Sequence, residues 1–257
     1  MWAPKFVFDS DERLDGVDET DVQPYVTASA MLRGALIVGG LALVLFTVAP
    51  GIDLTLARLF YLGDRHFIGN AGFLIPSIRL AFNIFFYLIC AVTILGLVMA
   101  ARNAGPWLDL TVGKWLFIAL CLITGPLVVA NIGFKDHWGR ARPRDIVEFD
   151  GSKAFTAPFP PSGQCDYNCS FVSGEASSIF IVMFAAALMF KSRSRNFVRL
   201  GIVSGSLAGL MRMSQGGHFL SDVIFAGVLM AITAASIQIL FDTLNGEQAR
   251  PIEQGAA

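Results

Sequence analysis

The chain has 257 residues, 54% of them hydrophobic and only 15% charged, with 22 phenylalanines and a formal net charge of -1. So apolar a composition excludes an ordinary soluble domain and indicates a polytopic membrane protein. With no basic domain and no recognisable nucleic-acid module, it gives no ground for a DNA or RNA partner.

Residues 1 to 22 carry seven acidic side chains against Lys5 and Arg13. A cleavable signal peptide needs a positive start, so residues 1–30 are expected to be a cytoplasmic tail. Six apolar segments then read as spans: Leu32 to Val48, Leu80 to Ala101, Lys114 to Phe134, Phe171 to Phe190, Val198 to Met213 and Asp222 to Phe241. Each approaches the roughly 17 to 25 residues that cross hydrocarbon. The fourth opens on the polar run Ser173, Glu175, Ser177, and the fifth is short. Together they predict an all-α bundle of about six transmembrane helices, one domain over residues 31–243, followed by a cytoplasmic tail at 244–257. Between the first two spans, Ile52, Leu54, Leu56, Leu59, Phe60 and Tyr61 with Arg58 predict a helix lying in the interface plane.

Lys191, Arg193, Arg195 and Arg199 crowd the connection between spans four and five. The positive-inside tendency makes that loop cytoplasmic and puts the loop 135–170 and the 212–222 connection on the outer side. Cys165 and Cys169 lie in that outer loop, where an oxidising periplasm permits a disulfide. A zinc site is the rival reading, but C-x3-C lacks a second ligand pair. Cys90 and Cys121 fall inside spans, where packing is their expected use. Small residues in span five, Gly201, Ser204, Gly205, Ser206 and Gly209, predict close approach to a neighbouring helix.

Three polar blocks fall on the outer side. Lys135, Arg142 and Pro143 form K-x6-R-P at the end of span three, a point charge and a planar fork suited to phosphate, although basic residues also end spans by reaching into the headgroup layer. Ser173 and Gly174 precede an apolar helix and offer a hydroxyl and free N–H groups to an anion; a simple Ser N-cap with Glu175 in the first turn is the alternative. Arg212, His218 and Asp222 follow as R-x5-H-x3-D, where a helix would put the carboxylate on the imidazole's face. Ionisable groups beside hydrocarbon persist where they are paired or where they work.

These blocks, in this order and on one predicted face, resemble the type 2 phosphatidic acid phosphatase (PAP2) superfamily, whose pattern is K-x6-R-P, P-S-G-H and S-R-x5-H-x3-D. Met211 stands where the third block has serine, Val172 where the second has proline, and Glu175 where it has histidine. The resemblance implies a metal-independent phosphatase with no cofactor, working through a phosphohistidine on His218. Asp222 would orient the imidazole, while Lys135, Arg142, Arg212, Ser173 and Gly174 bind the phosphoryl oxygens. Glu175 would replace the family histidine as acid, and Ser162 of Pro161-Ser162-Gly163 is a rival cradle serine without a helix behind it. The implied substrate is a phospholipid or lipid A phosphate at the membrane surface. The aromatic loop with Phe155, Phe159, Tyr167 and Phe171 is similar to that of lipid A phosphatases of Gram-negative bacteria. A lipid phosphotransferase and a non-catalytic lipid carrier share most of these residues and are the other readings. His137 and His66 are expected to serve the headgroup layer or simple anchoring.

Overall fold

The computed structural model describes residues 25–102 and 105–248. Most of the expected N-terminal tail and residues 249–257 lie outside them. Six long helices dominate: α1 (Ala28–Val48), α3 (Leu74–Arg102), α4 (Val112–Lys135), α5 (Gly174–Met189), α6 (Ser194–Ser214) and α7 (Leu220–Gln248), with a short α2 (Gly51–Arg58) after the first. Four of them, α1, α3, α4 and α7, are long and apolar enough to cross a membrane. Helix α5 is apolar but 16 residues long, and α6 mixes apolar with small and basic residues. The protein is thus a helical membrane protein. Thr27 caps α1 by accepting the Ala30 N–H at 3.1 Å, so that helix begins within the expected residues 1–30, and α7 runs on to Gln248, into the expected segment 244–257.

Hydropathy also hid the length of α6. Its first turns carry Arg195 and Arg199, which a helix can hold at its end by reaching outward along the surface. The expected interfacial helix is shorter than read. It ends at Arg58, and Tyr61–Gly63 pairs antiparallel with His66–Phe67 (β1 and β2) across a turn whose central residues Asp64 and Arg65 have φ of 48° and 62°. Positive φ at both positions matches the twist of a tight hairpin.

Helix α5 forms the centre, packed against α6, α7 and α4. Gly205 meets the Phe180 ring, where a Cβ would stand 2.6 Å from ring carbons, and a Cβ on Gly209 would stand 2.1 Å from the Val223 side chain. The small residues therefore do let α6 approach α5 and α7. Outward, Leu36, Ile37, Leu41 and Val44 of α1 and Tyr87, Leu88 and Ile94 of α3 are exposed, apolar surface on a scale that suits lipid and not water.

The six helices alternate in direction. The start of α1 and the turn before α6 share one end, where the Val26 N–H donates to Ser194 Oγ at 2.8 Å. The end of α4, the start of α5, the end of α6 and the start of α7 share the other. All three polar blocks consequently meet at one end, opposite Lys191, Arg193 and Arg195.

Candidate active site

The first block is delivered by an unusual stretch of helix. From Ile123 to Lys135, α4 is π-helical and contains Pro126, which has no N–H to give; Asn131 Nδ2 donates to the Pro126 carbonyl at 2.8 Å. Such wide turns re-aim side chains and recur at functional sites. Here the last residue is Lys135, buried with its ammonium against the start of α5. A Cβ on Gly174 would lie 2.8 Å from Lys135 Nζ, so a larger residue there would push the ammonium aside. Arg142 is also buried and directs Nε and Nη2 to the Asn168 carbonyl (3.2 and 2.6 Å) and Nη2 to Asn168 Oδ1 (2.8 Å). Asn168 is held in a small ring, because the structure joins Cys165 to Cys169, with Cα atoms 5.7 Å apart, and the Cys169 N–H donates to the Lys135 carbonyl at 2.9 Å.

Ser173 occupies the N-cap position of α5, but its hydroxyl makes no capping bond and is buried without a partner. Buried hydroxyls are nearly always paired, so an unpaired one at a helix start points to a ligand. The rival Ser162 is spoken for: its Oγ donates to the Gly139 carbonyl at 2.7 Å.

The third block differs from the expected single helix face. Helix α6 ends at Ser214, a turn of five residues follows, and α7 begins only at Leu220, so His218 sits in the turn and Asp222 in the first helical turn. Gly216, at φ 63°, makes this turn possible against the Phe67 ring, which a Cβ would approach to 2.7 Å. His218 is fully buried. Its Nδ1 is 2.7 Å from the Ser170 carbonyl, while Asp222 Oδ2 stands off at 3.6 Å, and Nε2 is left without a partner. A carbonyl can only accept, so the proton belongs on Nδ1 and the lone pair on Nε2. Burial pushes the imidazole down to about 4; Asp222 opposes this and the Arg212 and Lys135 charges add to it. His218 is therefore neutral at neutral pH, the state a nucleophile needs.

Asp222 acts through neighbours. Its Oδ2 accepts from Ser170 Oγ at 2.5 Å and from the Phe219 N–H at 2.8 Å, and its Oδ1 accepts from Arg140 Nη1 at 2.6 Å. Arg140 is 1% exposed and reaches three elements at once: Nη2 to Asp53 Oδ2 of α2 at 2.8 Å, Nη1 to Ser221 Oγ at 2.7 Å, and Nε to the Thr156 carbonyl at 3.0 Å. The Phe219 ring lies 4.3 Å from its guanidinium carbon. Asp53 in turn accepts the Ser221 N–H at 2.9 Å and the Ser221 hydroxyl. Burial raises the Asp53 pKa, and the Asp222 charge adds to that rise against the attraction of Arg140.

Glu175, at the first turn of α5, faces the same space. Its Oε1 receives Arg79 of α3 through Nη2 at 2.8 Å and Nε at 3.0 Å, and Arg212 Nε lies 3.1 Å away at an angle too poor for a hydrogen bond. Its Oε2 is 3.9 Å from His218 Nε2. Lys135, Gly174, Glu175, Arg212 and His218 are thus brought together. Four residues of this end escaped sequence reading. Arg140 fills a free position of K-x6-R-P, Asp53 lies among the apolar residues of the expected interfacial helix, Ser170 reaches His218 through its backbone carbonyl, and Arg79 precedes the apolar run of its helix. For Arg140 and Asp53 the only sign was an ionisable residue beside hydrocarbon without a visible partner. His137 and His66 are exposed and stand apart from this cluster.

Residues 114–245 match the model of the PAP2 superfamily. The chain belongs to that superfamily. It is similar to a protein named Lipid A 4'-phosphatase from Francisella tularensis subsp. novicida (strain U112), with 41% identity over 205 residues, 77% of this chain and 90% of that protein. Proteins of the same name from Rhizobium leguminosarum and Rhizobium etli (strain ATCC 51251 / DSM 11541 / JCM 21823 / NBRC 15573 / CFN 42) are 31% and 30% identical, each over 78% of this chain and over 92% and 83% of their own lengths. No solved structure matches.

Proposed function

We propose that this protein is a membrane phosphatase that removes the 4'-phosphate of lipid A through a phosphohistidine on His218. The observation that carries this reading is a groove of about 570 Å³ between α3 and α4 in which polar and apolar walls are continuous. Arg79, Lys135, Gly174 and Glu175 line its head; Tyr87, Ile94 and Leu127 line its length. A phosphate at the head and a hydrocarbon chain along the groove are the two halves of one lipid phosphate.

Within this reading His218 Nε2 attacks phosphorus in line, and the Nδ1 proton, held by the Ser170 carbonyl, keeps that lone pair free. Lys135, Arg212 and Arg142 neutralise the phosphoryl oxygens as charge moves onto them, with Ser173 Oγ and the Gly174 N–H completing the cradle. Phosphoryl transfer asks mainly for such positioning and fixed charge. Glu175 takes the place of the family histidine: ionised beside Arg79 and Arg212 in the free protein, its carboxylate first takes a proton from solvent as those cations turn to the phosphate, gives it to the departing sugar oxygen, and later draws one from the water that cleaves the phosphohistidine. Asp222 and Arg140 hold the histidine's scaffold. The cationic loop at the opposite end supports an inner-membrane protein with this site on the periplasmic side, where the joined Cys165 and Cys169 also belong.

The test is phosphate release by the purified full-length protein from bisphosphorylated lipid A. Inorganic phosphate and a product lacking the 4'-phosphate by mass spectrometry are expected, unaffected by EDTA and absent with His218→Ala. Transfer of the phosphate to a lipid acceptor, or equal release by His218→Ala, would reject the assignment.

A further inference from the structure

Glu175 and Arg79 are placed awkwardly for an acid and a bystander. Phosphorus must come within about 3 to 3.5 Å of the attacking nitrogen before transfer. The Glu175 carboxylate already stands 3.9 Å from His218 Nε2, with Arg212 and Arg79 on its other oxygen. It therefore occupies ground that a phosphoryl group needs, with cations already attached to it. Helix α5 is central and packed on three sides, so the side chain, not the helix, must yield.

Arg79 is built differently from the other pocket cations. Lys135, Arg142 and Arg212 are buried, whereas the Arg79 side chain is 42% exposed, at the head of the groove between α3 and α4. Its fork is spent on a single oxygen, Glu175 Oε1, through Nη2 and Nε. A planar guanidinium bonds better to two oxygens of one anion, and a phosphate dianion carries more charge than a carboxylate. Exchange of partners is thus favoured for Arg79 once phosphate arrives.

We propose that Arg79 is a substrate-binding residue: Glu175 holds the phosphate's place in the free protein, and the incoming phosphate takes Arg79 and Arg212 from it. The displaced carboxylate then turns beside the phosphate, toward the leaving oxygen. Arg79 is in this way a fourth phosphate-gripping cation, supplied by α3 and absent from the three motif blocks. The inference rests on the phosphatase reading above.

Binding of inorganic phosphate and of orthovanadate to the detergent-purified full-length protein, followed by calorimetry, tests it in four variants: Arg79→Ala, Arg79→Lys, Glu175→Gln and Arg79→Ala with Glu175→Gln. Removing the place-holder is expected to tighten phosphate by roughly tenfold, and removing Arg79 in the Glu175→Gln background to loosen it by roughly tenfold, the size of one partly exposed charge-assisted contact. Arg79→Lys should recover part of the loss. An unchanged or weaker affinity in Glu175→Gln overturns the place-holding. Identical affinities with and without Arg79 in the Glu175→Gln background make Arg79 a partner of Glu175 only and overturn its role in binding. Melting temperatures of all four variants identify any that fail to fold, and the double variant, which removes both partners together, keeps the comparison open. Failure of the phosphatase reading looks different: wild-type protein would bind neither anion, and His218→Ala would not alter phosphate release.

Discussion

Arg140→Met tests whether a buried arginine, and not the aspartate of the motif alone, sets up the nucleophile. The substitution keeps the volume of the stem and removes a guanidinium that bonds Asp222 at 2.6 Å and Asp53 at 2.8 Å, both carboxylates being fully buried. Breaking a buried pair on one side costs roughly 3 to 5 kcal/mol, because the remaining charge has lost its partner. At about 2 to 4 °C per kcal/mol for a chain of this size, the melting temperature should fall by roughly 6 to 20 °C. Arg140→Lys keeps the charge but cannot fork to two carboxylates, so it should recover part of the stability and little of the turnover. The carboxylate of Asp222 would then be free to draw the Ser170 hydroxyl and the Ser170 carbonyl out of line, and kcat should fall by roughly one to two orders of magnitude, as misplacement of a reacting group does. Thermal unfolding in detergent and phosphate release from lipid A are the assays. A variant with the wild-type melting temperature and kcat would show that Asp222 and His218 need no help from Arg140.

Nitrogen-15 labelling of the three histidines should show His218 staying neutral as pH falls, titrating only near about 4. Its folded pKa lies below the unfolded value of about 6.5, so its contribution to stability is complete above that value and is lost as pH falls toward 4; a His218 signal that titrates near 6.5 would refute the buried, neutral nucleophile. Ser173→Ala should lower kcat/KM by roughly tenfold or more, the worth of a lost phosphoryl contact, while Ser162→Ala should change it by less than about twofold; the reverse order would make Ser162 the cradle serine. Replacing Cys165 and Cys169 with serine removes a loop closure worth about 2 kcal/mol and frees Asn168, so a higher KM with kcat nearly kept is expected, and an unchanged KM would disconnect the ring from Arg142.

The membrane class and the three blocks were legible because apolar run lengths and polar spacings are local properties of a chain. Charge order also separated Lys191, Arg193 and Arg195 from the site end before any geometry was known. What was hidden depends on tertiary contact. The start of α7 at Leu220 puts His218 in a turn, and a spacing of four residues cannot tell a turn from a helix. The Ser170 carbonyl that holds His218 has no side-chain mark at all. Asp53 and Arg140 are 87 residues apart and become partners only when α2 folds back over the loop and the start of α7. Arg79 lies in the first turns of a helix otherwise apolar, where reaching for headgroups is the ordinary reading; only its bond to Glu175 distinguishes it.

The groove between α3 and α4 is walled by Tyr87, Ile94, Ile123 and Leu127, each also exposed on the outside of the bundle. A lipid can therefore arrive sideways, with its chains never passing through water. Encounter then becomes a two-dimensional problem. Turnover in mixed micelles should follow the mole fraction of substrate at the surface, and adding inert detergent at constant bulk concentration should slow it by dilution alone.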